Sequence, residues 1–447
     1  MAAHEKFHFR SLDQIQTKIT QLGTDIRFDQ DLSPLARPVP IGDLVAPNSL
    51  GIHPMEGCDG TADGAPGELT VRRYERFAHG GAGILWFEAT AVVPEGRANP
   101  RQLWLHEGTV GEFARLVKRI DRINEDQFGP GRRPVTVVQL THSGRYSRPV
   151  DKPAPIIAFR NPLLDPRHGL PAGYPIISDG ELEALEDKYV AAAKLAYEAG
   201  FRAVDIKTTH GYLSSELLAG HTRPGPYGGS FQNRTRFLLN VVSKIRESVP
   251  EILLAVRLGA CDGLPYPYSW GMDMEVEGKE DLGEPIRLVR MLHEKGVRLL
   301  NVPAGNPYYL PHLTRPFDQP SRGVPVPDEH PLEGVDRLFR VGRVLQQAVP
   351  EMVVMGTGYS WLRQFFPLAA AANIRNGWVK VAGLGRQAFA YPDFARDLLE
   401  RGALDPKQSC TACSKCTQLM RDGGMAGCVT RDAQTYLPLY RKYCQAT

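Results

Sequence analysis

ISDGELEALEDKYVAAAKLAYEAGFRAVDIKTT, residues 177–209, sets a helix and a buried strand one after the other. Ser178 can cap the helix start. Leu182, Leu185, Tyr189 and Ala192 then follow one face, and Gly200 suits the C-terminal stop. The strand AVDIKTT (203–209) belongs to a recurring set that starts near residue 40. The others are LGIHPM (50–55), GILWFEA (83–89), VTVVQLTH (135–142), LLAVRLG (253–259), LLNVPAG (299–305), MVVMGTG (352–358) and WVKVAGL (378–384). Several are rich in Val, Leu and Ile rather than strictly alternating, as strands of a parallel sheet covered on both faces should be. Eight strand–helix units predict an α/β fold of the (β/α)8 (TIM) barrel type. A doubly wound sheet is the structural alternative, but no GxGxxG follows a strand.

The chain has 447 residues, 42% of them apolar and 23% charged, so it can bury a large core. MAAHEKFHFRSLDQ at the N-terminus lacks an apolar h-region and a small-residue cleavage site. No stretch approaches the ~18–20 apolar residues that cross a bilayer. The net charge of +3 is spread without a basic block, which makes nucleic acid a poor partner. A cytoplasmic protein away from membranes is expected.

CTACSKCTQLMRDGGMAGC holds four of the seven cysteines, Cys410, Cys413, Cys416 and Cys428. In a reducing compartment, closely spaced thiols bind metal more often than they pair as disulfides. Zinc usually takes two Cys or Cys/His pairs across a longer loop. Three cysteines at intervals of three with a distant fourth instead resemble a [4Fe–4S] run. Cys58, Cys261 and Cys444 read as spare or packed thiols. Two Pro-rich insertions, Ser143 to Tyr174 and Asn306 to Pro331, follow the C-terminal ends of strands three and six, where barrel enzymes build active sites.

The strand ends, taken in turn, resemble those of the Old Yellow Enzyme family of FMN-dependent barrels. The similarity is to its iron–sulfur branch, which includes 2,4-dienoyl-CoA reductase and trimethylamine dehydrogenase, and it runs from about residue 40 to 430. HPMEG at strand one corresponds to the family's Pro-Met run, which lays Pro54 and Met55 against the flavin. GAGILWFEA implies that backbone at Ala89 meets the pyrimidine. VVQLTHSGRYS resembles the family's Gln-Leu-x-His-x-Gly-Arg and gives Gln139 the isoalloxazine edge. AVRLG puts Arg257 at flavin N1 and O2, where a fixed cation stabilises the reduced ring. MGTGYS and AGLGRQ supply the phosphate candidates Gly356, Thr357, Gly358, Gly385 and Arg386.

Strand four reads VDIKTTHGYLSSELL, where the resemblance implies two donors for a carbonyl oxygen, Lys207 and His210, and a proton donor, Tyr212. Lys207 departs from the family's usual histidine, and Glu56 stands where Thr, Ser or Cys is common. The two are expected to pair. Trp86, Trp104, Tyr308 and Tyr359 offer aromatic surface for the alternative, an amine dehydrogenase or demethylase, although Lys207 would repel a cationic amine. A non-redox phosphate-binding barrel with structural zinc is the alternative outside redox enzymes.

The expected organisation is an N-terminal extension (1–39), an FMN-binding barrel (40–404) and a cluster-binding segment (405–447). FMN, a [4Fe–4S] cluster and NAD(P)H are the implied cofactors. The reaction expected is hydride transfer from flavin to the activated C=C bond of an unsaturated carbonyl or acyl substrate. A small-molecule substrate, a separate electron-transfer protein and homo-oligomer formation complete the expected partners.

Overall fold

A computed structural model describes residues 4–445. Eight parallel strands close into a barrel: β1 (Leu50–Ile52), β2 (Ile84–Ala91), β3 (Val135–Thr141), β4 (Ala203–Thr208), β5 (Leu253–Leu258), β6 (Val297–Asn301), β7 (Val353–Gly356) and β8 (Val381–Leu384). β8 pairs with β1 through Ala382–Leu50, Gly383–Gly51 and Leu384–Ile52, so the sheet has no open edge and the doubly wound alternative falls. Several strands end earlier than the sequence pattern suggests. His53 N still donates to Leu384 O (2.9 Å) and Val302 N to Met355 O (3.3 Å), whereas Pro54, Met55, Pro303, Thr357 and Gly358 lie beyond the strands and line the open mouth.

The helix Asp179–Glu198 begins with Ser178 accepting from Glu181 N while the Glu181 side chain returns to Ser178, a complete capping box. Leu182, Leu185, Tyr189 and Ala192 are buried, and Gly200 turns the chain at φ 85°. Helices Glu68–His79, Val110–Phe128, Phe231–Ser248, Gly283–Glu294, Pro331–Ala348 and Phe366–Arg375 sit between strands in the same way.

Inside the barrel, Ile84, Trp86, Val135, Val137, Ala203, Leu299 and Met355 fill the N-terminal half. A hairpin of Val39–Ile41 and Leu44–Ala46 closes that end, adding Val39, Ile41 and Ala46 to the same core. Apolar filling stops at Asp205 of β4. Its buried carboxylate accepts from Trp86 Nε1 on β2 (2.9 Å), Gln139 Nε2 on β3 (2.6 Å) and the Arg257 backbone N–H on β5 (2.5 Å). Burial pushes the acid up while these donors pull it back, leaving it at about 6 and therefore ionised at neutral pH.

The C-terminal segment folds back over the mouth. Its helices Lys415–Arg421 and Ala433–Cys444 pack through Leu419, Val429, Tyr436 and Cys444. Ala426 N donates to Gly57 O (2.6 Å), Cys410 N to Gln387 Oε1 (2.9 Å), and Arg72 pairs with Asp432 (2.7 Å). No helix of the described residues is long and apolar enough to cross a membrane.

Replacing Asp205 with Asn forces a donor against donors. Asp205→Asn should lose about 1–3 kcal/mol of stability, read as a lower urea midpoint with an unchanged slope.

Candidate active site

Strand ends and the C-terminal segment enclose a cavity of about 180 Å³ at the barrel mouth. β1 runs out into Pro54, Met55 and Glu56; β3 offers Gln139; β4 offers Lys207, His210 and Tyr212; β5 offers Arg257. Thr357 and Gly358 follow β7, and Gly385 and Arg386 follow β8. Twelve sequence-selected positions therefore line one space. Two are placed elsewhere. Ala89, whose carbonyl accepts from Gln102 Nε2 (3.1 Å), is not among the lining residues, and Gly356 lies within β7 against Val379. Of the four aromatics considered, only Tyr308 lines the cavity. Trp86 is spent on Asp205, Tyr359 accepts from Asn373 Nδ2 (3.0 Å), and Trp104 packs against His106.

The expected Glu56–Lys207 pair forms, with Nζ 3.2 Å from Oε1. Lys207 is 3% exposed, and burial lowers it to about 8 even though Glu56 acts to raise it. Its ammonium also sits 3.5 Å from the centre of the Tyr212 ring, a cation–π contact. Tyr212 donates to the same Glu56 oxygen (3.1 Å), and its hydroxyl lies 3.3 Å from that of Tyr308. Burial first, then Glu56, raise the Tyr212 phenol well above its ordinary value, so it holds its proton at neutral pH. Tyr308 stacks on Tyr146, with ring centres 3.9 Å apart, joining the two Pro-rich insertions above β4.

His210 adopts a left-handed backbone (φ 65°), followed by Gly211 (φ 72°), where a Cβ would strike Asn306. This sharp turn keeps the imidazole at the cavity wall. Burial, then Arg257 and Lys207, lower its pKa far enough to keep it neutral. Gln139 spends its amide nitrogen on Asp205, which leaves its oxygen free to accept. Arg257 is lowered to about 10 by burial and remains cationic.

The polar atoms left over test the fit of a flavin. His210 Nε2, Arg257 Nε and Arg386 Nη1 are buried without a protein partner, and each belongs to a residue lining the cavity. Buried donors of this kind are costly unless a ligand meets them. A planar, anionic cofactor with ring acceptors at one end and a phosphate at the other fits the set.

Sequence reasoning passed over His53, Gly383, Arg315 and Arg421. The His53 ring lines the cavity, receives Asn301 Nδ2 on Nδ1 (3.1 Å), and lies so near Gly383 that a Cβ there would sit 2.3 Å from its Cε1. The signal was present, since His53 belongs to the HPMEG run and Gly383 to AGLGRQ. Arg315 and Arg421 come from the second insertion and the cysteine helix, and neither carries a local pattern.

Cys410, Cys413, Cys416 and Cys428 line a second, small cavity beside Arg386 and Phe389, and all are free thiols. Ala412 N–H points at Cys410 Sγ (3.4 Å) and Arg431 N–H at Cys428 Sγ (3.3 Å), the donors a thiolate ligand needs. Left-handed Ala412 (φ 50°) and Ser414 (φ 56°) bend the loop on either side of Cys413. Among the described residues, no group of three or more His, Cys, Asp or Glu side chains is close enough to hold a single metal ion. Cys416 lines both cavities.

Comparison with known proteins agrees with this geometry. The chain is 28% identical over 291 residues to the NADH oxidase of Thermoanaerobacter brockii, covering 62% of this chain and 40% of that protein. It is 27% identical over 417 residues to the bilirubin reductase of Mediterraneibacter gnavus, covering 90% and 57%. The chain thus spans about half the length of these curated relatives. A 2-naphthoyl-CoA reductase structure superposes with a TM-score of 0.69 at 19% identity, over 89% of this chain and 57% of that one, which is a likeness of fold. The NADH:flavin oxidoreductase / NADH oxidase family model matches residues 34–291, more than half of the chain, and the protein belongs to that family.

Proposed function

We propose that the chain is an FMN-dependent oxidoreductase with a [4Fe–4S] cluster that reduces the activated C=C bond of an unsaturated carbonyl or acyl compound. The observation that carries this reading is the charge of the cavity. Lys207, Arg257, Arg315, Arg386 and Arg421 line it, and among the described residues Glu56 is the single lining carboxylate. A field of that sign favours a reaction that builds negative charge on substrate oxygen. A cationic amine would instead meet repulsion of about 4 kcal/mol from each cation at ~4 Å and an effective dielectric near 20.

In this reading Pro54 and Met55 lie against FMN, Gln139 accepts at its pyrimidine edge and Arg257 donates there. Thr357, Gly358, Gly385 and Arg386 hold its phosphate. When bound, FMN supplies hydride to the substrate. A cluster on Cys410, Cys413, Cys416 and Cys428 would supply single-electron transfer, with NAD(P)H or a separate electron-transfer protein as the electron source. Lys207 donates to the substrate carbonyl oxygen as an ammonium and His210 as a neutral imidazole. Losing one such donor typically costs ~10²–10³ in rate. Tyr212 exchanges Glu56 for the substrate and protonates carbon, while Glu56 holds Lys207 in position. The similarity to a bilirubin reductase over 90% of the chain supports a reductase.

One observation favours a second reading, amine oxidation: Tyr146, Tyr212 and Tyr308 cluster beside Glu56, an aromatic and acidic corner that suits a cation. Anaerobic mixing of the flavin-loaded protein with enones, enoyl thioesters and methylamines separates the two. Flavin bleached by amines, with no enone turnover, would reverse the order.

Tyr212→Phe should lower the rate of substrate reduction by ~10² or more while leaving flavin reduction by the electron donor nearly intact. Stopped-flow measurement of the two half-reactions checks this, and equal losses in both would remove the proton-donor role. The Lys207 cation disappears as pH rises through about 8, so kcat/KM should fall on that limb. Glu56→Gln removes a charge that raises Lys207, so the limb should move to lower pH. A pH profile identical to wild type would break the link between the pair and catalysis.

A further inference from the structure

Two of the five cavity cations have no task in the reaction just described. Arg315 follows the short helix Pro311–Thr314 in the second insertion, and Arg421 ends the helix Lys415–Arg421 of the cysteine segment. We propose that Arg315 and Arg421 form an anion subsite that takes a carboxylate carried by the substrate away from its reacting double bond. This rests on the reading of the site as a C=C reductase and narrows its substrate class to unsaturated carbonyl compounds with a free acid group.

Arg386, Arg421, Cys416 and Tyr308 are the groups whose charge acts most strongly on Arg315, and two of them are cations. Arg421 donates only to neutral acceptors, Ser321 Oγ (2.8 Å) and Pro307 O (3.2 Å). Both guanidiniums are half-buried in the cavity wall, and neither forms an ion pair with a described carboxylate. An oxyanion between them restores the balance, and the planar fork of Arg matches a carboxylate on two points.

Arg315 faces Arg386 of the phosphate set, and Arg421 reaches towards the reacting end. Arg386 and the turns after β7 and β8 already serve the phosphate end. Arg421 is tied to Pro307, the neighbour of Tyr308, whose hydroxyl lies 3.3 Å from that of Tyr212. The two arginines therefore bridge from the phosphate end to the tyrosines of the reacting end. A phosphate of a nicotinamide dinucleotide has the same oxyanion chemistry, and the test distinguishes it.

The test uses the full chain loaded with FMN under anaerobic conditions. Enones bearing a terminal carboxylate on tethers of stepped length, and their methyl esters, are titrated against the oxidised flavin absorbance. The best acid should bind ~10-fold or more tightly than its ester. Arg315→Gln and Arg421→Gln should each bring that ratio towards one, and Arg421→Lys should keep part of it. FMN content per chain should match wild type.

Equal binding of acid and ester at every tether length in the wild-type protein overturns the subsite without needing a variant. So does a ratio that survives both Gln substitutions, or loss of FMN from Arg315→Gln, which hands that side chain to the flavin phosphate. Binding of 2′,5′-ADP that vanishes in both variants while the acid-to-ester ratio persists assigns the pair to a dinucleotide instead. If the ratio holds but neither acids nor esters are reduced when electrons are supplied, the reductase reading fails and the subsite stands.

Discussion

A single buried carboxylate organises the active end of this barrel. Asp205 sits where the apolar interior stops, and it gathers an indole N–H, an amide N–H and a backbone N–H from three other strands. Each bond fixes a consequence further up. Trp86 is pulled into the floor, Gln139 is oriented with its oxygen outward, and β5 is held in register so that Arg257 emerges above it. Nothing in the mouth can be placed accurately unless this floor is rigid, because a side chain one turn of strand higher inherits any slip below it.

Above that floor the cavity runs on a surplus of positive charge. Glu56 offsets part of it locally, receiving both Lys207 and Tyr212 on one oxygen. The arrangement keeps a lysine charged in a setting that would otherwise strip its proton, and keeps a tyrosine protonated beside it. Acid and base roles are thus separated by surroundings rather than by residue type. Arg315, Arg386 and Arg421 form no ion pair with a described carboxylate, which is what a site for anionic or electron-rich ligands requires.

The fold was legible because its signals are local. Ser178, the Leu182–Ala192 face and Gly200 describe one helix within a single window, and eight such windows imply closure. Lys207 and Glu56 at strand ends, and Cys416 in the cysteine segment, were also readable, since each lies in a short run with its own chemistry. Asp205 was not, because a lone acid in an apolar strand says nothing about donors arriving from residues 86, 139 and 257. The same holds for Arg315 and Arg421, whose meaning comes from the approach of two segments far apart in the chain. The Ala89 carbonyl likewise accepts from Gln102, thirteen residues later, a contact that no local pattern announces.

The segment that carries the four thiols also forms the roof of the cavity, and it is joined to the rest by contacts as distant as Arg72 with Asp432, 360 positions apart. During synthesis, all eight strands leave the ribosome before this roof does. Four residues of that roof, Cys416, Thr417, Met420 and Arg421, line the cavity directly, so the shape of the ligand space is set by the last-made part of the chain as much as by the strand ends.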